Sequence, residues 1–227
     1  MSKVLFWDFD GSLVYANERF IDTFLSVTNA FNYNFPKDEI RQLFKSIYPW
    51  NFPEISYQDR IGDFWWDSFL GKIDNFYAEK GISQSLKKEI NEKFKFQMIN
   101  NNTYTLYEDA KDTLSAGMEL GYKNCILSNN YPELPRILDD FNISHFFTDY
   151  FVSALIGYEK PRSELFDYAI KKSGCKSGYM IGDNPIADIE GGKNAGLKTI
   201  LVHRGNISTA DYKLDHLCQI PEILKCS

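Results

Sequence analysis

The sequence predicts an α/β protein built on a doubly wound parallel sheet, with an all-helical domain inserted after the first strand. Three observations predict it. The chain opens on an uninterrupted apolar run, Val4-Leu5-Phe6-Trp7, as in strands buried on both faces. From Tyr104 onward, short apolar runs alternate with helical patterns, which gives parallel strands with helices on both faces. Between them, residues 15–103 carry helical spacing and no convincing strand. The 227 residues suffice for one α/β core, 1–14 plus 104–227, and a small helical domain, 15–103.

The first strand runs into Asp8-Phe9-Asp10-Gly11, so two carboxylates stand at its carboxyl end and Gly11 marks the turn. Residues two apart point to the same side of a strand. Two such charges repel by about 1 kcal/mol in water and about 4 kcal/mol at an effective dielectric of 20, so the pair calls for a cation or a shared proton. Phe20, Phe24, Val27 and Phe31 then recur at helical spacing. Pro36 opens a second helix with Ile40, Leu43, Phe44 and Ile47 on one face, and Pro49 and Pro53 break the chain around Trp50 and Phe52. Residues 57–79 read as one further helix with Ile61, Phe64, Trp65, Phe69, Ile73 and Phe76 as its stripe, ended by Gly81. Ser83 is placed to cap the next, with Leu86, Ile90 and Phe94. Large apolar residues are mostly interior, so Trp65, Trp66, Phe69 and Phe76 are expected to fill the core of this bundle, the alternative being that some line a pocket over the active site. Asn100–Thr103 form a polar linker.

In the second part, Asp109 is expected to cap a helix that Gly121 stops. Strands are expected at 123–128, 150–153, 179–182 and 199–202, with a weaker one at 212–214. Helices are expected from Pro132 to Phe141, from Pro161 to Gly174, over 186–195, and after Pro221.

Composition narrows the function. Hydrophobic residues at 44% and charged residues at 25% are ordinary for a soluble globular chain. A net charge of −6 argues against sequence-independent nucleic-acid binding, yet not against phosphate substrates, where a bound cation dominates the local field. No apolar run approaches a membrane span, and the first apolar run, which leads straight into Asp8 and Asp10, is not expected to serve as a signal peptide. Four scattered cysteines read as reduced thiols in a cytoplasmic protein.

Each later strand runs into polar residues. Cys125-Ile126-Leu127 precedes Ser128-Asn129-Asn130, and Met180-Ile181-Gly182 precedes Asp183-Asn184-Pro185, with Asp188 one helical turn beyond. Glu159-Lys160-Pro161 lies between, just before a helix. Singly, these are ordinary turns and loops. In this order, with Asp8-Phe9-Asp10-Gly11-Ser12-Leu13 at the start, they resemble the four motifs of the haloacid dehalogenase-like hydrolase superfamily: Asp8 and Asp10, then Ser128, Lys160, and Asp183 with Asp188. The inserted helices resemble that family's C1-type cap, as in its phosphoglycolate phosphatase and beta-phosphoglucomutase branches.

The resemblance implies a Mg²⁺-dependent phosphatase acting on a small phosphorylated metabolite. Asp8 would be the nucleophile, because a carboxylate can take a phosphoryl group. Asp10 would protonate the leaving oxygen, then activate water. Ser128, Asn129 and Lys160 would bind phosphoryl oxygens, Lys160 also facing Asp8. Mg²⁺ would be held by Asp8, Asp183 and the Asp10 backbone carbonyl. Asp188 and Asn184 are expected just outside that ligand set, Asp188 orienting Lys160 or a water on the cation. Several alternatives stay open. A sugar phosphomutase has the same motifs and cap type. A haloacid dehalogenase lacks the second Asp, so Asp10 argues against it. A phosphonate hydrolase needs a cap lysine, for which Lys37, Lys45 and Lys72 are available. A binding protein with a decayed site is disfavoured because every catalytic position carries a competent residue.

Overall fold

A computed structural model describes residues 2–205 and 209–226. Six strands form one sheet: β1 (Ser2–Trp7), β2 (Tyr122–Ser128), β3 (Phe147–Val152), β4 (Cys175–Gly182), β5 (Lys198–Val202) and β6 (Tyr212–Leu214). All pairings are parallel and the order is β3-β2-β1-β4-β5-β6. The chain therefore winds outward from β1 in one direction, then restarts at β4 and winds in the other. The reversal falls between β1 and β4, and open α/β sheets bind ligands beyond the strand ends at such a point.

The apolar run of β1 makes the sheet two-faced. Leu5 and Trp7 enter one core cluster with Ile126, Ile181 and Ile200. Val4 and Phe6 enter the other with Cys125, Leu127 and Met180. Period-two alternation thus feeds both faces. The Trp7 indole N–H donates to Asn124 Oδ1 at 2.9 Å, so its one polar atom is satisfied inside the core.

Five helices follow β1 before the sheet resumes: α1 (Arg19–Ala30), α2 (Lys37–Ile47), α3 (Phe64–Gly71), α4 (Asp74–Glu79) and α5 (Gln84–Met98). The expected single helix over 57–79 is instead a 3-10 turn at Gln58–Arg60 and two short helices. Gly62 takes a positive φ of 59° and donates its N–H to Ala154 O, a tertiary contact that a continuous helix would forbid. Ser83 caps α5 as expected, its Oγ accepting from the Leu86 N–H. Trp65, Trp66, Phe69 and Phe76 are buried, as core residues should be. The two linkers of this segment are cross-bonded: Tyr15 N–H donates to Thr105 O at 2.9 Å and Tyr107 N–H to Leu13 O at 3.0 Å.

The remaining helices are α6 (Ala110–Glu119), α7 (Leu134–Asp140), α8 (Ser153–Ile156), α9 (Ser163–Ser173), α10 (Gly191–Asn194) and α11 (Ile220–Lys225). Three expectations shift. Asp109 makes no side-chain cap to α6; its Oδ2 accepts the distant Cys218 N–H at 3.0 Å. β3 and β4 begin earlier than their apolar runs suggested, because β3 starts at Phe147 and β4 at Cys175. The helix after Asp183 begins as a π-helical segment, Pro185–Glu190, before α10.

Candidate active site

Asp8 follows β1 directly, and its N–H donates to Ile181 O of β4 at 2.9 Å. The ladder to β4 thus extends by one bond and fixes the residue at the switch point. Lys160 reaches it from the loop before α9. Its Nζ donates to Asp8 Oδ1 at 2.9 Å, to Leu127 O at 2.8 Å and to Asp188 Oδ1 at 2.5 Å. Those are all three donors of an ammonium. Lys160 is 1% exposed, and such a charge is tolerated inside only when paired and fully bonded.

The Lys160 backbone is held as firmly. Asn129 Oδ1 accepts the Lys160 N–H at 2.7 Å, and Asn129 Nδ2 donates to Lys160 O at 3.1 Å. Asn129, expected as a phosphate donor, thus also clamps the lysine loop. Asp188 is fully buried, with its second oxygen accepting the Asn184 N–H at 2.9 Å. Glycine makes this approach possible: a Cβ on Gly182 would lie 2.1 Å from Asp188 Oδ2. Asn184 caps the turn that follows, its Oδ1 accepting the N–H groups of Ile186 and Ala187 at 3.0 Å each.

Asp183 completes a cluster: one carboxylate oxygen from each of Asp8, Asp183 and Asp188 lies within 4.8 Å of the others. Gly11, at φ 80°, lets Asp183 come this close, since a Cβ there would sit 2.4 Å from its Oδ2. Burial sets the electrostatics. It pushes Asp8 up to about 6, against the pull of Lys160, and it raises Asp183 and Asp188. Burial alone would lower the Lys160 ammonium, but Asp188 and Asp8 outweigh it and hold it above its ordinary value. Hard, buried carboxylate oxygens suit a small divalent cation. Both oxygens of Asp188 are already engaged, so Asp8 and Asp183 are the carboxylates that fit Mg²⁺.

Asp8, Asp10, Asn129, Lys160, Asp183, Asn184 and Asp188 all line one cavity of about 350 Å³. Ser128 ends β2 fully buried behind that wall, its Oγ without a hydrogen-bond partner among the described residues. The far wall comes from the helical segment: Arg19, Phe20, Tyr48 and Trp50, with Trp50 stacked on Tyr48 at 4.4 Å.

Sequence reasoning missed four features here. Arg19 Nη1 donates to Asp10 Oδ1 at 3.0 Å, and Asn130 Nδ2 donates to Asp10 Oδ2 at 2.8 Å. Arg204 donates through Nε and Nη2 to Asp183 Oδ2 at 2.9 and 2.7 Å. Arg204 follows β5 by two residues, so the strand-end logic applied to the other motifs could have found it. Below the cavity, Tyr57 OH donates to Glu159, whose other oxygen, Oε2, is buried without a partner among the described residues.

The haloacid dehalogenase-like hydrolase family model matches residues 2–196, and the chain belongs to that family. It is 26% identical over 242 residues to the glyceraldehyde 3-phosphate phosphatase of Pyrococcus furiosus, covering 98% of this chain and 93% of that one. It is 32% identical over 105 residues to the phosphoserine phosphatase of Thermus thermophilus, covering 45% of this chain and 42% of the relative. The fold matches the magnesium-bound HAD-hydrolase YfnB of Bacillus subtilis with a TM-score of 0.75 at 20% identity, over 99% of both chains. Among the described residues, no helix is long and apolar enough to cross a membrane.

Proposed function

We propose that this chain is a Mg²⁺-dependent phosphatase that hydrolyses a small phosphomonoester through a phosphoryl group carried on Asp8. The observation that carries this reading is the Lys160 ammonium, buried between Asp8 and Asp188 at the sheet's switch point. It holds one oxygen of the Asp8 carboxylate and presents a buried positive charge beside it. The relatives named as phosphatases of phosphorylated metabolites, and the family motifs, support the same chemistry.

Asp8 attacks phosphorus; the new O–P bond forms as the ester oxygen departs with the old one. Asp10 supplies the departing oxygen with a proton, then takes one from the water that cleaves the acyl phosphate. Lys160 neutralises phosphoryl oxygens, aided by Asn129 at the cavity wall, whereas the Ser128 hydroxyl, fully buried and outside the cavity lining, does not face it in this structure. Asp188 fixes Lys160. Asp8, Asp183 and the Asp10 backbone carbonyl would hold Mg²⁺, with Asn184 just outside, and the cation would screen charge on the transferring group.

Residues 15–103 act in this reading as a lid over the core formed by 1–14 and 104–227. The cross-bonded linkers leave and return beside Asp10, and Phe20, Tyr48 and Trp50 face the cavity. A cavity of about 350 Å³ suits a metabolite-sized substrate. The test is hydrolysis of p-nitrophenyl phosphate with Mg²⁺, followed by a panel of phosphorylated metabolites that includes glyceraldehyde 3-phosphate and phosphoserine. Turnover abolished reversibly by chelator is expected. Full turnover in excess chelator, or none on any ester, contradicts the reading.

A further inference from the structure

We propose that Arg19 is a positioning residue for acid–base chemistry, tying the orientation of the Asp10 carboxylate to the placement of the helical segment. The inference rests on the reading of Asp10 as the proton-transfer group.

The two oxygens of Asp10 are held from different parts of the molecule. Asn130 holds Oδ2 from the end of β2, and is itself fixed there: its N–H donates to Ser153 Oγ at 3.0 Å, and its side-chain Oδ1 accepts the Tyr131 N–H at 2.9 Å. Arg19 holds Oδ1 from the first residue of α1. One donor leaves a carboxylate free to turn about that bond; two donors on opposite oxygens fix its plane.

Arg19 is built for this role. It is 6% exposed, and its guanidinium carbon lies 3.7 Å from the Tyr104 ring centroid. Tyr104 stands where the chain returns from the helices and packs edge-on against Phe9, between the two motif carboxylates. The Arg19 N–H donates to Asn17 Oδ1 at 3.0 Å, and Asn17 Nδ2 donates to Thr103 O at 3.5 Å. Arg19 therefore sits where the outgoing linker, the returning linker and Asp10 converge. Any swing of the helices about these linkers carries the guanidinium with it. A lysine would keep the charge but lose the planar face stacked on Tyr104.

Leaving-group dependence tests the inference, because a nitrophenolate departs without a proton and an alkoxide does not. For Arg19→Ala, kcat/KM should fall at least 30-fold on glycerol phosphate and less than threefold on p-nitrophenyl phosphate. Arg19→Lys should fall between this variant and the wild type on glycerol phosphate, and it replaces the alanine variant if that one does not fold. Equal losses on both esters would show a merely structural role and overturn the proposal, as would no loss on either. If the wild type is inert toward both esters, the phosphatase reading fails separately. Crystal structures of wild type and Arg19→Lys then decide: an Asp10 carboxylate turned away from its wild-type plane supports the proposal, and an unchanged one overturns it.

Discussion

Asp8 and Asp10 stand two residues apart, yet different regions hold them. Asp8 is gripped by the sheet end alone: the ladder to β4 at its backbone and Lys160 at its carboxylate. Asp10 is gripped half by the sheet end, through Asn130, and half by the inserted helices, through Arg19. In the proposed reading the nucleophile is thus held from within the core, while the acid–base residue also depends on the inserted helices. Closure motions concentrate in linkers such as the two that tether these helices. The contrast teaches that two carboxylates of one short motif can be held by different parts of the chain.

The comparison breaks most severely at Lys160. Lys160→Met leaves Asp8 and Asp188 buried without their shared cation. Removing one partner of a buried pair costs about 3–5 kcal/mol. Turnover should fall to background, and the urea midpoint should drop; a variant as stable and active as wild type would refute the role of the sheet-end grip. Asp183→Ala should act on the cation instead of the fold. Mg²⁺ affinity measured by calorimetry should weaken at least about tenfold, or about 1.4 kcal/mol, while thermal stability changes little. Unchanged affinity would move the metal site elsewhere.

How far these features were legible from sequence follows the same divide. The sheet was legible because β1 and the later residues of β2, β4 and β5 are buried and leave continuous apolar runs, whereas the edge strands β3 and β6 carry polar residues and left weaker signals. Asp8, Ser128, Asn129 and Asp183 stood out as candidates because they follow strand ends, whereas Lys160, in the loop before α9, and Asp188, a turn beyond Asp183, stood out only through the order of the motifs. Arg19 did not, since nothing in its spacing distinguishes it from the other basic residues; only the path of the helices brings it to Asp10. The break at Gly62 was hidden for a related reason. The apolar stripe through residues 57–79 continues across it, and the interruption goes with the positive φ of Gly62 and with bonds to distant backbone, Tyr57 N–H to Gly157 O and Gly62 N–H to Ala154 O. Asp109 misled because its carboxylate meets a backbone N–H from the far end of the chain.

The smallest expected effect sharpens the seam between the two regions. Burial pushes the Glu159 carboxyl, bonded to Tyr57 from the helical segment, up to about 7. A carboxyl raised in the folded state stabilises fully below its unfolded value and loses that contribution as pH rises through the folded one. Wild type should therefore lose stability relative to Glu159→Gln between about pH 5 and pH 8, by at most on the order of 3 kcal/mol. Parallel denaturation profiles for the two proteins across that window would contradict the assignment.

The most direct measurement of the central claim is covalent trapping. Asp10→Asn should still accept a phosphoryl group from p-nitrophenyl phosphate, but should release it slowly for want of a base. Acid quench and peptide mass spectrometry should then find one phosphoryl group on the peptide containing Asp8, and none when Asp8→Asn is added. A phosphoryl group on any other residue, or turnover by Asp8→Asn above about a tenth of wild type, a barrier change under about 1.4 kcal/mol, would contradict the account.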